Sequence, residues 1–498
     1  MTTVPTTSTQ KRRIRTSLRK WKGSFGETDR ELFQAFVEQT LNRLRGPFLA
    51  QHHPTDVLHY LEVAFNFAKQ RTVNTHKVSI QEGPSKGILT IVNMADQPFI
   101  VDTIRLFLKV NRADYWSGFN LVFPATRDAS GTLIAIDEQE GSMESLVLLE
   151  SDVGVIHDNK DVKIDELATN IEMARAMVQD FRSMTRTVER TQERLIEHAD
   201  QHPQHRAGLF ETAEFLKWLL RENFVFMGLQ VLSDGESTKS FGIQKIQGPY
   251  FGKHDGDWPP PHEPGTIRVR KCEVESPIHR SGRIDEILVQ LPEFMGGDAV
   301  FIRGMFTYRA VNQPCRNVPI LRKVLATILE NQEAKPGSFR HKGIANVFDS
   351  LPTEFLFTAE QGAISEMVDL VFESEQQQEV GVTLMMIGND SAFCLVAMPK
   401  TQFSDELREA LQEHIKTSTR ASYVDHGLFV GRYDTVLLHF FVTGVRKQSE
   451  ATFTTLSEDI RSLATPWFAR LWHELTQSFD EDVADRLADT YGHAFPSA

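Results

Sequence analysis

Residues 88–153 carry the pattern that most restricts how this chain can fold. A short β-branched run, Ile88 to Val92, gives way to a polar break, Asn93 to Gln97, and then to Pro98. Proline suits the first turn of a helix, where it has no amide hydrogen to leave unpaired. Phe99, Ile100, Thr103, Ile104, Phe107 and Leu108 then recur at helical spacing and make one apolar face, while Arg105, Lys109 and Arg112 fall on the other. Three strand-like runs follow at 119–123, 133–136 and 145–150, with turn residues from Asp128 to Gly131 between the first two. A strand, a helix and then antiparallel strands predict a sheet with a helix on one face.

The whole chain has to hold more than one such unit, because 498 residues exceed what a single core organises. With 41% hydrophobic and 24% charged residues, the composition fits a multidomain α+β globular protein. No apolar run approaches the roughly 20 residues that span a bilayer, and no charged-then-apolar leader opens the chain, so no membrane partner is expected. Cys272, Cys315 and Cys394 are odd in number and far apart, which argues against a disulfide framework or a zinc knuckle and makes the cytoplasm the expected compartment. A formal net charge of -13 disfavours nucleic acid as a partner of the body of the protein.

Read in order, residues 1–28 are Thr-rich and then basic, and predict a disordered basic tail. N-terminal helices follow at 29–84, one striped by Leu32, Phe33, Phe36, Val37, Leu41 and Leu44 and one by Val57, Leu58, Leu61, Ala64 and Phe65, with Thr55 as candidate cap. The first sheet module occupies 85–155, and a helical connector, 160–206, leads to a second sheet domain over 207–315. Its expected strands are 224–232, 241–246, 267–273, 285–291 and 299–309, and the Pro- and Gly-rich stretch 248–265 reads as a loop. A second helical connector spans 316–373 and includes one expected helix over 350–372; the polar run 373–379 reads as a linker. Residues 379–446 read as a second module of sheet and helix, in the order strand, strand, helix, strand, strand, with strands at 380–387, 392–398, 423–430 and 435–442 and a helix at 406–414, and C-terminal helices fill 450–498.

No catalytic or metal constellation emerges. The chain has no GxGxxG after a strand, no phosphate-binding lysine loop, no GxSxG elbow and no HExxH. His52, His53, Asp56 and His59 read as the polar start of a helix rather than as metal ligands. Two polar groups stand out. Asn93, Asp96 and Gln97 lie in a strand-to-helix turn, where they can either cap the helix or hold the charged ends of an amino-acid effector. His279, Arg280 and Arg283 flank a strand start and suit an interface or structural role, since no paired carboxylate accompanies them.

Several strings carry a family resemblance. "QPFIVDTIRLFL", "ESLVLLESD", "ARAMVQDFRSM", "EFLKWLLRENFVFMG", "SPIHRSGRIDEI", "VPILRKVLATIL", "LPTEFLF" and "VAMPKTQFSDELREAL" stand in the same order as segments of the N-terminal half of the large bacterial NAD-specific glutamate dehydrogenases. The chain resembles that half over about residues 30–496. The resemblance implies ACT-like modules, a central PAS-like sheet domain, helical connectors, regulation by amino acids, homo-oligomeric assembly and a dehydrogenase catalytic half as partner. The family reaction is oxidation of L-glutamate by NAD, with water, to 2-oxoglutarate and ammonia. The expectation is therefore a regulatory and assembly segment, itself inactive and without a cofactor, NAD belonging to a catalytic domain outside the chain. A free-standing amino-acid-sensing or protein-interaction adaptor is the alternative.

Overall fold

The computed structural model describes residues 7–23, 25–44, 46–84, 87–136, 141–246, 258, 267–387, 391–430, 434–445 and 450–492. The chain divides into two compact units, one of residues 1–182, 241–248 and 274–283, the other of 183–240, 249–273 and 284–498.

The first unit opens with four helices, α1 (Thr7–Leu18), α2 (Glu27–Arg43), α3 (Gly46–Gln51) and α4 (Pro54–Ala68). It continues with β1 (Lys77–Glu82), β2 (Ile88–Ala95), α5 (Ile100–Val110), β3 (Tyr115–Arg127), β4 (Leu133–Ala135), β5 (Ser142–Ser151) and the start of α6 (Lys160–Gln201). The described strands form one antiparallel sheet in the order β1-β2-β5-β3-β4. Its central strands are apolar on both sides, and the sheet is covered on both. Leu89, Ile91, Phe119, Leu121, Phe123, Leu146 and Leu148 pack into the core built by α1–α4. Val92, Met94, Val147 and Leu149 pack against Ile104 and Phe107 of α5 and Leu167 and Ile171 of α6. Helices on one face only, the sequence expectation, is thus corrected. A continuous apolar run such as Ile88 to Val92 is what two-sided burial requires.

Three local readings also change. The expected disordered tail contains α1, because Ile14 and Leu18 fall four residues apart on one helical face and are buried in the same core. Helix α4 starts at Pro54 after His53, so Thr55 lies inside it rather than capping it. Pro98 precedes α5, whose N-cap residue is Phe99.

One buried polar knot ties this unit together. The Glu144 carboxylate on β5 accepts from Arg71 Nη2 at 2.5 Å and from Arg127 Nε and Nη2 at 2.7 and 2.8 Å. Asn93 of β2 donates to Glu144 and to the Ser145 carbonyl, and accepts from Arg71 and Arg127 through its amide oxygen. Burial by itself pushes the Glu144 carboxyl up, but the hydrogen bonds and charges of Arg127 and Arg71 outweigh it and hold the group below the usual carboxylate range.

The second unit contains α7 (Arg206–Trp218), β6 (Phe224–Ser233), β7 (Glu236–Gly242), β8 (Ile267–Glu275), β9 (Arg283–Gln290) and β10 (Ala299–Phe306). These strands form an antiparallel sheet in the order β7-β6-β10-β9-β8. The strand expected at 241–246 is instead the end of β7 and a 3-10 turn, Ile243–Lys245, entered through Gly242 at φ +60°. The loop expected at 248–265 lies outside the described residues apart from Trp258. Then come α8 (Tyr308–Val311), α9 (Leu321–Asn331), α10 (Phe339–Ser350), α11 (Thr353–Thr358) and α12 (Gln361–Gln377). The single helix expected over 350–372 is broken in two, because α11 ends at Thr358 and the chain runs extended through Ala359 and Glu360 before α12 begins at Gln361. The expected linker at 373–379 is mostly α12, which a buried stripe of Ile364, Met367, Val368 and Val371 carries through to Gln377.

A third sheet, also in the second unit, has β11 (Gly381–Ile387), β12 (Ser391–Pro399), α13 (Asp405–Thr419), β13 (Tyr423–Val430) and β14 (Thr435–Thr443). The described strands are antiparallel in the order β11-β12-β14-β13. Cys394, Val396, Leu438 and Phe440 face Leu411 and Ile415 of α13 and Leu456 and Ile460 of α14 (Glu450–Ala464). From the opposite face, Phe355 of α11 stacks on Phe393 with ring centroids 4.1 Å apart. This sheet too is covered on both sides, and α15 (Trp467–Thr476) and α16 (Glu481–Gly492) end the described chain.

Removing Glu144 would strand two buried guanidinium groups, so Glu144→Ala is expected to destabilise the first unit by about 3–5 kcal/mol. Urea unfolding reads this directly. Because the folded-state pKa of Glu144 is lowered, its contribution is present above the ordinary carboxylate range and lost as pH falls through the lowered value, and the variant should lose that acid sensitivity.

Candidate functional site

The two polar groups singled out in the sequence meet in part at the N-terminus of α5. Asp96 leaves β2 with its N–H donating to the Met143 carbonyl at 2.9 Å and its carboxylate accepting from Ser145 Oγ at 2.6 Å. Phe99 then takes a left-handed backbone, φ +73°, a conformation that a bulky side chain adopts only when its surroundings enforce it. Its carbonyl accepts from the N–H and the Oγ1 of Thr103 at 3.1 and 2.6 Å, closing the first turn of α5. The His279 ring packs edge-on against the Phe99 ring at 5.0 Å, and the His279 N–H donates to Thr103 Oγ1 at 3.5 Å. His279 has a left-handed backbone of its own, φ +66°, and follows the fully buried Ile278.

Among the described residues, two buried nitrogens here have no hydrogen-bond partner, Gln97 Nε2 and His279 Nδ1. Burial lowers the His279 pKa, the Arg280 charge lowers it further, and Asp102 in the first turn of α5 pulls the other way. The imidazole is therefore held neutral against Phe99. This arrangement packs the 274–283 segment against the first turn of α5 through an uncharged ring. The other singled-out residues serve different ends. Asn93 is fully buried in the Glu144 knot, Arg280 is exposed, and Arg283 is buried at the start of β9.

The sequence reading missed a second charged cluster, on the central sheet of the second unit. Lys271 Nζ lies 2.8 Å from Asp285 and 2.6 Å from Glu354 of α11, and the second Asp285 oxygen accepts from the Phe306 N–H at 3.0 Å. Burial lifts Asp285 to about 6, with Lys271 opposing and Glu354 adding to the rise. On neighbouring residues, which a strand points to its other face, Glu286 pairs with Arg270 at 2.6 Å and Arg303 at 2.7 Å. The available signal was the presence of adjacent charges within the otherwise apolar strand runs "VRKCEVE" and "RIDEILVQ".

The comparisons bear on these same elements. Residues 36–170, which hold the first sheet and its α5 turn, match the family described as glutamate dehydrogenase, ACT1 domain. Residues 318–376, from α9 to α12, match glutamate dehydrogenase, helical motif 1. Both matches, and the two relatives that follow, make the chain similar to the N-terminal region of the NAD-specific glutamate dehydrogenases. It is 25% identical over 440 residues to the NAD-specific glutamate dehydrogenase of Halomonas elongata, covering 81% of this chain and 26% of that protein. To the enzyme of the same name from Pseudomonas aeruginosa it is 24% identical over 362 residues, 66% of this chain and 22% of the relative. The chain thus spans about a quarter of the length of the curated relatives it matches. Among the described residues no helix is long and apolar enough to cross a membrane.

Because the folded-state pKa of His279 is lowered, its contribution to stability is complete above the ordinary histidine value of about 6.5 and is lost as pH falls through the lowered value. His279→Phe keeps the ring contact with Phe99 and removes the titration. The variant should lose less stability than the unaltered chain between pH 7 and pH 5, measured as the difference in urea midpoint.

Proposed function

We propose that this chain is a regulatory and assembly segment of an NAD-dependent glutamate dehydrogenase, acting on a catalytic half rather than carrying out the reaction. The observation that carries this reading is the coincidence of two matches, ACT1 and helical motif 1, with the first sheet and the α9–α12 connector. The reading that NAD belongs to the catalytic half is supported by strand pairs such as β1–β2, β6–β10 and β12–β14, which are antiparallel, whereas a dinucleotide crevice is built at the switch point of a parallel sheet. The central sheet's order, second strand, first, fifth, fourth and third, supports reading it as PAS-like. Cytoplasmic residence accompanies the proposal, as the compartment of a nicotinamide-linked amino-acid enzyme.

The test is direct. The purified chain supplied with L-glutamate and NAD is expected to form no NADH above a protein-free control. Glutamate-dependent absorbance growth at 340 nm, at a rate proportional to chain concentration, would overturn the proposal.

A second reading, an amino-acid-sensing adaptor, is favoured by one observation, the unpartnered Gln97 amide beside Asp96 at the α5 turn. With Asn93 committed to the Glu144 knot, Asp96 and Gln97 are what remain of the expected effector site. Under the assembly reading, the twenty amino acids at millimolar concentration leave the melting temperature unchanged. A rise with one of them, abolished by Asp96→Ala in a chain that still folds, establishes the adaptor reading instead.

A further inference from the structure

We infer that the hairpin of α15 and α16 is a docking site for a basic amphipathic helix of a partner protein. The inference goes beyond the regulatory reading and does not depend on it.

α15 turns its polar side inward. Residues advance about 100° around a helix, so Ala469, Arg470, His473 and Glu474 share one half of α15, and Trp467, Phe468, Leu471, Trp472 and Leu475 share the other. The polar half lines a cleft against Arg461, Ser462 and Thr465 of α14. The apolar half therefore faces away from α14, and no residue of α15 is buried. α16 meets part of this half through Ala484 and Ala488, both fully buried. Alanines let two helices approach closely, but they are too small to cover rings. Phe468, Phe479 and Tyr491 are left 43%, 50% and 52% exposed. An apolar helical stripe is stable when another element buries it, and two helices alone do not close a core around this one.

Charge names the occupant. Residues 467–492 hold six carboxylates, at Glu474, Asp480, Glu481, Asp482, Asp485 and Asp489, against two guanidinium groups, at Arg470 and Arg486. Glu481, Asp482, Asp485 and Asp489 fall within about 100° of one another on α16. Asp485 accepts from Trp472 Nε1 at 2.6 Å, so this acidic ridge borders the apolar half of α15. Such a surface complements a helix whose own apolar stripe is flanked by lysine or arginine. A second copy of the hairpin would bring two acidic ridges together. The basic helix of this chain, α1, does not fit either, because its apolar residues Ile14 and Leu18 are already buried.

The test uses the intact chain and a labelled synthetic helix of about five turns, with leucine at helical spacing and lysine elsewhere. Fluorescence anisotropy should show saturable binding at micromolar chain concentration, and a twin with glutamate in place of lysine should not bind. Phe468→Glu should weaken binding at least about tenfold, as the loss of an aromatic anchor does. That substitution adds negative charge, so non-specific attraction for lysine can only rise, and a loss reports the apolar contact. Asp482→Lys combined with Asp489→Lys, both exposed on α16, should also weaken binding with unchanged circular dichroism. Failure of the lysine helix to bind, equal binding of its glutamate twin, or binding that either variant leaves intact overturns the inference. So does either rival occupant. A doubled mass in light scattering that Phe468→Glu returns to 56.6 kDa would assign the face to a second copy. Sedimentation with phosphatidylcholine vesicles, lost in the same variant, would assign it to a bilayer.

Discussion

A carboxylate with 1% of its side chain exposed cannot stay charged without close partners, and Glu144 has three. Arg71 comes from the chain after α4, Arg127 from the end of β3 and Asn93 from β2. The register of the first sheet, the placement of the N-terminal helices and the direction in which β2 leaves for α5 thus all meet at one group. Shifting β2 by one residue would turn Asn93 to the opposite face and open the knot. The apolar faces supply the larger share of the folding free energy, but they tolerate small slips. The knot does not, which makes it the element that specifies a single arrangement.

The central sheet repeats this logic with more charge. Asp285 and Glu286 are adjacent on β9, point to opposite faces, and each finds cations there. Burying so many charges gains little stability over apolar packing. Its effect lies in geometry, since a lysine shared between Asp285 and Glu354 fixes where α11 sits on the sheet. The raised pKa of Asp285 means that the folded form binds a proton that the unfolded chain would release, so its share of stability falls as pH rises toward about 6. Glu144 acts in the reverse sense at lower pH.

Much of the fold was legible in the sequence because its elements have strong periods. β13 matches its expected span at both ends, and β6, β12 and β14 differ from theirs by one residue at one or both ends. What escaped was tertiary in origin. Helix α1 has two buried apolar side chains among many cations, a stripe too thin to read until the core it joins is known. β1 alternates weakly and is held by pairing with β2. The turn at Asn93 to Gln97 was found, but its division of labour was not, because the partners of Asn93 are remote in sequence. The association of His279 with Phe99 joins positions that no local pattern connects.

Helix α11 has only two turns of chain, yet consecutive residues in it touch two sheets: Glu354 reaches Lys271 on the central one and Phe355 lies on Phe393 of the third. Neighbours on a helix are about 100° apart around its axis, so this short segment works as a spacer of fixed angle. Substitutions at either position can be absorbed one at a time. A residue inserted between Glu354 and Phe355 cannot, because it would swing one contact away while the other held. In any lineage of this chain, length should therefore be preserved through α11 more strictly than identity.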